Sequence, residues 1–340
     1  MRVAISSIFV VTSCFASPAA TYQNPVLAAD VPDPGVVRYG NNWYAATTGG
    51  NGGSCYAIHT SADLAAPWTP AGYVFNRSTF PTWADSGTCW APEIHTVGST
   101  HVVYFTSRLK ATGALCVGAA VSTNGPLGPF VDRGTPLVLA PPGSCFGVID
   151  ATYFHDDAGQ DWIIYKHDGN SCGKPTNIYA AKLSSDGLNV TDPSPTFLLT
   201  NNPSSWEGGI TEAPWIIARN TSTLFMFYSG AAYDQPSYAI GAAVSYGGVT
   251  GPWTKYGANP VMRSAPGAGQ PGSQLHFGPG HCSVVEVNSA AGNWAFVYAA
   301  ERPGGGARHL MLDAVEWNAD GWPVGAHGGV PSNEPEPVPL

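Results

Sequence analysis

An apolar, aromatic strand recurs five times along this chain, and no other feature constrains its fold as tightly. The copies read Asn42-Trp43-Tyr44-Ala45-Ala46, Val102-Val103-Tyr104-Phe105-Thr106, Trp162-Ile163-Ile164-Tyr165-Lys166, Leu224-Phe225-Met226-Phe227-Tyr228 and Trp294-Ala295-Phe296-Val297-Tyr298. Each follows a short polar turn and precedes another strand, such as Asn177-Ile178-Tyr179-Ala180-Ala181 in the third copy. In front of each unit a polar residue opens a further strand: Asp33, Glu93, Asp150, Glu212 and His281, spaced 57 to 69 residues apart. A fixed period of this kind marks a repeat architecture, while helical periodicity is absent. The pattern predicts an all-β, single-domain, five-bladed β-propeller over residues 21–324. Radial repetition protects strand edges and brings the start of every inner strand to one end of a central channel. A β-sandwich would explain the strands but not the acids recurring at the head of each unit.

Charged residues make up only 11% of the chain, well below the roughly 25% of an average soluble protein. The formal net charge of -9 disfavours nucleic acid and anionic membrane surfaces as partners, both of which select for clustered Lys and Arg. A neutral ligand such as a sugar fits better. Residues 1–20 read as a signal peptide: a basic start, the apolar run from Val3 to Val11, then small residues at Ala16 to Ala20. The run is too short to span a bilayer, and no later apolar stretch reaches about 18 residues, so a secreted, extracellular monomer is expected. Beyond Cys14, six cysteines remain (Cys55, Cys89, Cys116, Cys145, Cys172 and Cys282), an even number that predicts disulfides without fixing their pairing. Sequons at Asn76, Asn189 and Asn220 agree with glycosylation. Residues 325–340 read as a Gly-, Pro- and Glu-rich tail.

Three acids stand in apolar, strand-like settings: Asp33 in Val31-Pro32-Asp33-Pro34-Gly35, Asp150 in Gly147-Val148-Ile149-Asp150-Ala151, and Glu212 in Gly209-Ile210-Thr211-Glu212-Ala213-Pro214. With the motifs Asn24-Pro25-Val26-Leu27, Trp90-Ala91-Pro92-Glu93, Gly278-Pro279-Gly280-His281 and Asp320-Gly321-Trp322-Pro323, in this order, the chain resembles glycoside hydrolase family 43, the arabinanases, α-L-arabinofuranosidases and β-xylosidases. The resemblance implies an inverting mechanism with Asp33 as general base, Glu212 as general acid and Asp150 as the residue that raises and orients the acid. An inverting glycosidase needs one carboxylate to activate water and one carboxylic acid to protonate the leaving oxygen. A third carboxylate close to the acid raises its pKa by like-charge repulsion.

Other positions are weaker candidates. Arg308 matches a site from which relatives reach substrate, and Trp90, Phe146 and Trp206 are the aromatics best placed to stack on sugar faces, although a Trp in a blade is more often core. Glu207 reads as a loop residue and Glu93 as a structural acid where many relatives carry Asp. His281 should face the channel, where by the resemblance it is either the single protein ligand of a calcium ion whose sphere waters complete or an ion-free, hydrogen-bonded histidine. No cofactor is required by this chemistry. The expected function is release of L-arabinofuranosyl residues from arabinose-containing oligo- or polysaccharide of plant cell walls, with β-xylosidase or galactofuranosidase activity as the alternatives within the family. A non-catalytic, glycan-binding propeller is the alternative of another class, since fold does not fix function.

Overall fold

The computed structural model describes residues 21–289 and 292–339; the expected leader, residues 1–20, lies outside them. Five four-stranded antiparallel sheets follow one another along the chain, each with its strands in sequence order. Blade 1 comprises Gly35–Tyr39, Asn42–Thr47, Cys55–Ser61 and Thr69–Phe75, and blade 2 Ala84–Val97, Thr100–Leu109, Leu115–Ser122 and Val131–Asp132. Blade 3 is built from Val148–His155, Asp161–His167, Asn177–Leu183 and Thr196–Thr200. Blade 4 contains Thr211–Asn220, Thr223–Gly230, Ala239–Ser245 and Trp253–Lys255, and blade 5 Phe277–Asn288, Asn293–Glu301, Arg308–Trp317 and Pro323–Gly325. The chain is the five-bladed β-propeller that its repeat predicted.

The repeated second strands carry continuous apolar runs because both of their faces are covered. Side chains alternate across a strand, so odd and even residues meet different neighbouring blades. Tyr44 and Ala46 pack with Ile94, Val103 and Phe105 of blade 2, whereas Trp43 and Ala45 pack with Phe296 and Val297 of blade 5. Tyr104 joins Ile163 and Tyr165 between blades 2 and 3, and Trp162 and Ile164 join Met226 and Tyr228 between blades 3 and 4. The core is therefore a ring of inter-blade layers. Truncating one of the buried aromatics in such a layer typically costs about 3–5 kcal/mol.

The ring is closed by hydrogen bonds and by the two chain ends. Ser283 Oγ of blade 5 accepts from Val36 N at 2.9 Å and donates to Pro34 O at 2.8 Å. The N-terminal segment lies along the third strand of blade 5, with Val26 N donating to Leu310 O and Leu310 N to Leu27 O. The Gly-, Pro- and Glu-rich segment after residue 324 folds back on the propeller: Glu336–Pro337 pairs with Thr21–Tyr22, and Ser332 Oγ accepts from Asn24. Of the six cysteines, four form the pairs Cys55–Cys89 and Cys145–Cys172, with Cα atoms 5.6 and 6.1 Å apart. Cys116 and Cys282 are buried thiols. Among the described residues no helix is long and apolar enough to cross a membrane.

One local device positions the centre of the ring. Asp33, Ala91, Asp150, Ala213 and His281 all adopt left-handed backbone angles, with φ between 41° and 55°. In blades 2 to 5 the register of the inner strand breaks at this point, the mark of a β-bulge that re-aims side chains. Such a conformation costs a non-glycine residue about 1–3 kcal/mol and needs support from its surroundings. That support comes from the preceding blade: Ala91 N donates to Thr48 Oγ1, Asp150 N to Thr106 Oγ1, Ala213 N to Asp150 Oδ2 and His281 N to Ser229 Oγ. The equivalent positions of blades 2 and 4 are thus Ala91 and Ala213 rather than Glu93 and Glu212. The strand pattern could not reveal this offset, because a bulge slips the register by residues that look like ordinary strand.

Candidate active site

The bulges gather their side chains around a cavity of about 650 Å3 at one end of the channel. Of the residues singled out in the sequence, Asp33, Asp150, Glu212, Trp90, His281 and Arg308 all line it. Two do not. Phe146 packs against the His167 ring with centroids 5.0 Å apart, and Trp206 lies over Tyr228 and against Gly230 and Gly241 between strands of blade 4. Both rings are half-buried, and their contacts are with blades 3 and 4 and not with the cavity.

Asp33 is surrounded by donors. Thr48 Oγ1 donates to its Oδ2 at 2.5 Å, Arg308 Nη1 lies 2.8 Å from Oδ1, and His281 Nδ1 lies 3.2 Å from the same oxygen. Burial alone would raise this carboxyl, but Arg308, His281 and the Thr48 hydroxyl outweigh it and hold Asp33 below the ordinary carboxylate value. Asp150 has the opposite setting. Burial, reinforced by Glu212 and Asp33, overcomes the attraction of His281 and Lys166 and pushes its carboxyl up to about 7. Its Oδ2 accepts one backbone hydrogen bond, from Ala213 N at 3.2 Å.

Glu212 is anchored at both oxygens. Lys166 Nζ donates to Oε2 at 2.8 Å and the Tyr238 hydroxyl donates to Oε1 at 2.9 Å. Lys166 also meets Asp168 Oδ1 at 2.8 Å and is only 1% exposed. Tyr238 is wedged in place by Gly280, where any Cβ would come within 2.0 Å of its ring. A cavity that keeps one carboxylate ionised, pushes a second carboxyl toward neutrality and fixes a third through two donors is equipped for paired proton transfers.

Several of these residues escaped the sequence reading. Lys166 carried the clearest signal, a lone cation closing the run Trp162-Ile163-Ile164-Tyr165 in a sparsely charged chain. Thr48, Asp168 and Tyr238 gave none. Glu301, at the end of the last second strand, lines the cavity with its Oε2 buried and without a hydrogen-bond partner. The acids that competed for attention lie elsewhere: Glu93 is buried against His95 Nε2 at 2.8 Å, and Glu207 is bound by Lys255 and by the Tyr228 hydroxyl. Neither lines the cavity. His281 turns its Nδ1 to Asp33, and among the described residues no three His, Cys, Asp or Glu side chains gather to hold a metal ion.

Comparison with known proteins places this geometry in context. The family model described as "Glycosyl hydrolases family 43" matches residues 22–323. A probable arabinan endo-1,5-α-L-arabinosidase C of Aspergillus clavatus is 26% identical over 227 residues, which cover 64% of this chain and 66% of that one. The chain thus spans just under two thirds of that relative's length. An extracellular exo-α-(1→5)-L-arabinofuranosidase of Cellvibrio japonicus is 23% identical, with 86% of each chain covered. Among solved structures, a thermostable family-43 glycoside hydrolase superposes with a TM-score of 0.80 at 27% identity, covering 94% of this chain and 99% of that one.

Proposed function

The chain belongs to glycosyl hydrolases family 43, and we propose that it is an inverting enzyme that releases L-arabinofuranosyl residues from plant cell-wall polysaccharide. The observation that carries this reading is the contrast between carboxyls sharing one cavity, Asp33 held ionised and Asp150 pushed to about 7 beside Glu212. In the proposed reaction Asp33 takes a proton from a water molecule as that water adds to the anomeric carbon. The glycosidic bond breaks with its electrons passing to the leaving oxygen, which takes a proton from Glu212. Asp150 is the third carboxyl of the site, beside Glu212, and Arg308 and His281 hold the base in place. Trp90, 38% exposed at the cavity wall, offers a ring face to a sugar.

The cavity volume lies in the range of small-ligand sites, which suits one or two sugar units. Arabinose as the sugar is supported by what the Aspergillus and Cellvibrio relatives are described as cleaving. Secretion is supported by the two disulfides and by the exposure of all three sequon asparagines.

Incubation with p-nitrophenyl α-L-arabinofuranoside, β-D-xyloside and β-D-galactofuranoside, alongside debranched arabinan, tests the substrate. Arabinofuranoside turnover is the expected result, and preferential turnover of either other glycoside would move the enzyme to that activity. Asp33→Ala should abolish sugar release with the fold intact, and unchanged hydrolysis by this variant would overturn the assignment of the base. Retained glycan affinity with no hydrolysis of any substrate by the wild type would favour the binding-protein alternative. Proton NMR of the first-formed anomer decides inversion against retention.

A further inference from the structure

Lys166 is an anomaly in its strand. It ends an otherwise apolar run, is almost wholly buried, and places its ammonium 2.8 Å from both Glu212 Oε2 and Asp168 Oδ1. Burying an ammonium is unfavourable unless its charge is paired and its hydrogens are bonded, and two carboxylates meet that need. A single acid would be enough to solvate a structural lysine. The second contact goes to the acid of the proposed reaction, and it leaves that acid's other oxygen to Tyr238.

This arrangement has a chemical consequence. An ammonium carries three donors and no acceptor, so the Glu212 oxygen bonded to it cannot also direct a proton toward it. The lone pair of Oε2 that faces Lys166 is closed to a proton, which favours Oε1, the oxygen beside the Tyr238 hydroxyl, as its carrier when Glu212 is neutral. That hydroxyl can donate to Oε1 when the carboxyl is ionised and accept from it when it is protonated. We propose that Lys166 is a positioning residue that fixes the acid proton on Glu212 Oε1 and stabilises the carboxylate left when that proton departs. The inference rests on Glu212 being the general acid.

In the acid step the proton leaves Oε1 for the glycosidic oxygen, and the negative charge that remains on Glu212 faces the Lys166 ammonium. The groups around Glu212 then divide in sign. Asp150 from the inner strand of blade 3 opposes the new charge, and Asp168 draws on the same ammonium. Lys166 from the second strand of blade 3 and Arg308 from blade 5 favour it, while Tyr238 donates a hydrogen bond. Lys166 therefore strengthens the acid, which matters most when the departing oxygen is a sugar alkoxide and least when it is an acidic phenoxide.

The test uses the glycoside accepted in the substrate panel, prepared as an aryl series of graded leaving-group acidity beside the matching oligosaccharide. Glu212→Ala is the control: it should lose activity steeply on the oligosaccharide and little on the most acidic aryl glycoside, and a uniform loss would remove Glu212 as the acid. With that control in hand, Lys166→Met should lose on the order of a hundredfold on the oligosaccharide and only a few-fold on the most acidic aryl glycoside. Its basic limb of kcat/KM should move up by about one to two pH units. An equal loss across the series, or an unmoved basic limb, overturns the proposal. Should Lys166→Met fail to fold, Asp168→Asn supplies the independent arm. Removing the competing carboxylate gives Glu212 the whole of the ammonium, so the basic limb should move down; an upward shift or none overturns the proposal.

Discussion

Replacing Asp150 with Asn should make this protein more stable while making it a worse enzyme, and the size of the gain should depend on pH. Asp150 is buried, and its carboxyl is pushed from 3.8 to about 7 by that burial and by Glu212 and Asp33. Each tenfold change in proton affinity is worth about 1.4 kcal/mol, so holding this group ionised costs the folded state about 4 kcal/mol. Between pH 3.8 and about 7 the folded protein keeps a proton that the unfolded chain releases. Stability therefore falls as pH rises through that window and levels off above it. Asparagine never ionises, and its side-chain oxygen can still accept from Ala213 N as Asp150 Oδ2 does. With an unfolding entropy of about 2.1 cal/mol/K per residue, 1 kcal/mol moves the Tm of a chain this long by about 1.5 °C. Thermal melts should then show Asp150→Asn about 6 °C above the wild type at pH 7 and 8, about 3 °C above at pH 5.5, and within about 1 °C at pH 4. Hydrolysis should fall by about a hundredfold or more, because the amide cannot replace the carboxyl that stands beside Glu212 and Asp33 in the cavity. Parallel melting curves from pH 4 to 8 would refute the claim that burial holds Asp150 neutral.

Other perturbations address the remaining groups. Arg308→Met removes the ion pair that counters burial at Asp33, so the acid limb of kcat/KM should rise by about one pH unit or more, and the loss should be greater at pH 4.5 than at 6.5. Trp90→Ala should raise KM by about tenfold with Tm unchanged, whereas Trp206→Ala, which opens a gap over Tyr228, should lower Tm and leave KM alone; melts and initial rates separate the two. Gly280→Ala drives a methyl group into the Tyr238 ring and should cut kcat through the displaced hydroxyl, a loss that Tyr238→Phe should reproduce in the same assay.

The blades were legible in the sequence because what makes them is local. Five runs such as Leu224-Phe225-Met226-Phe227-Tyr228 are apolar on both faces, and a strand that is continuous in this way must be covered on both sides. Spacing then set the number of blades, and convergence of inner strands set the meeting of Asp33, Asp150 and Glu212 in one cavity. The residues around those acids were not legible, because bulge register and contacts between blades depend on neighbours remote in the chain. Thr48 supports Ala91 across 43 residues, and Lys166 meets Glu212 across 46. The same limit hid which four cysteines pair and that Phe146 and Trp206 lie outside the cavity lining. The sequence alone determined a ring of five sheets with three acids near its axis. Which of those acids is held ionised and which is pushed toward neutrality was decided by tertiary structure, since charge and burial act through space and the ring brings together side chains that the chain itself keeps apart.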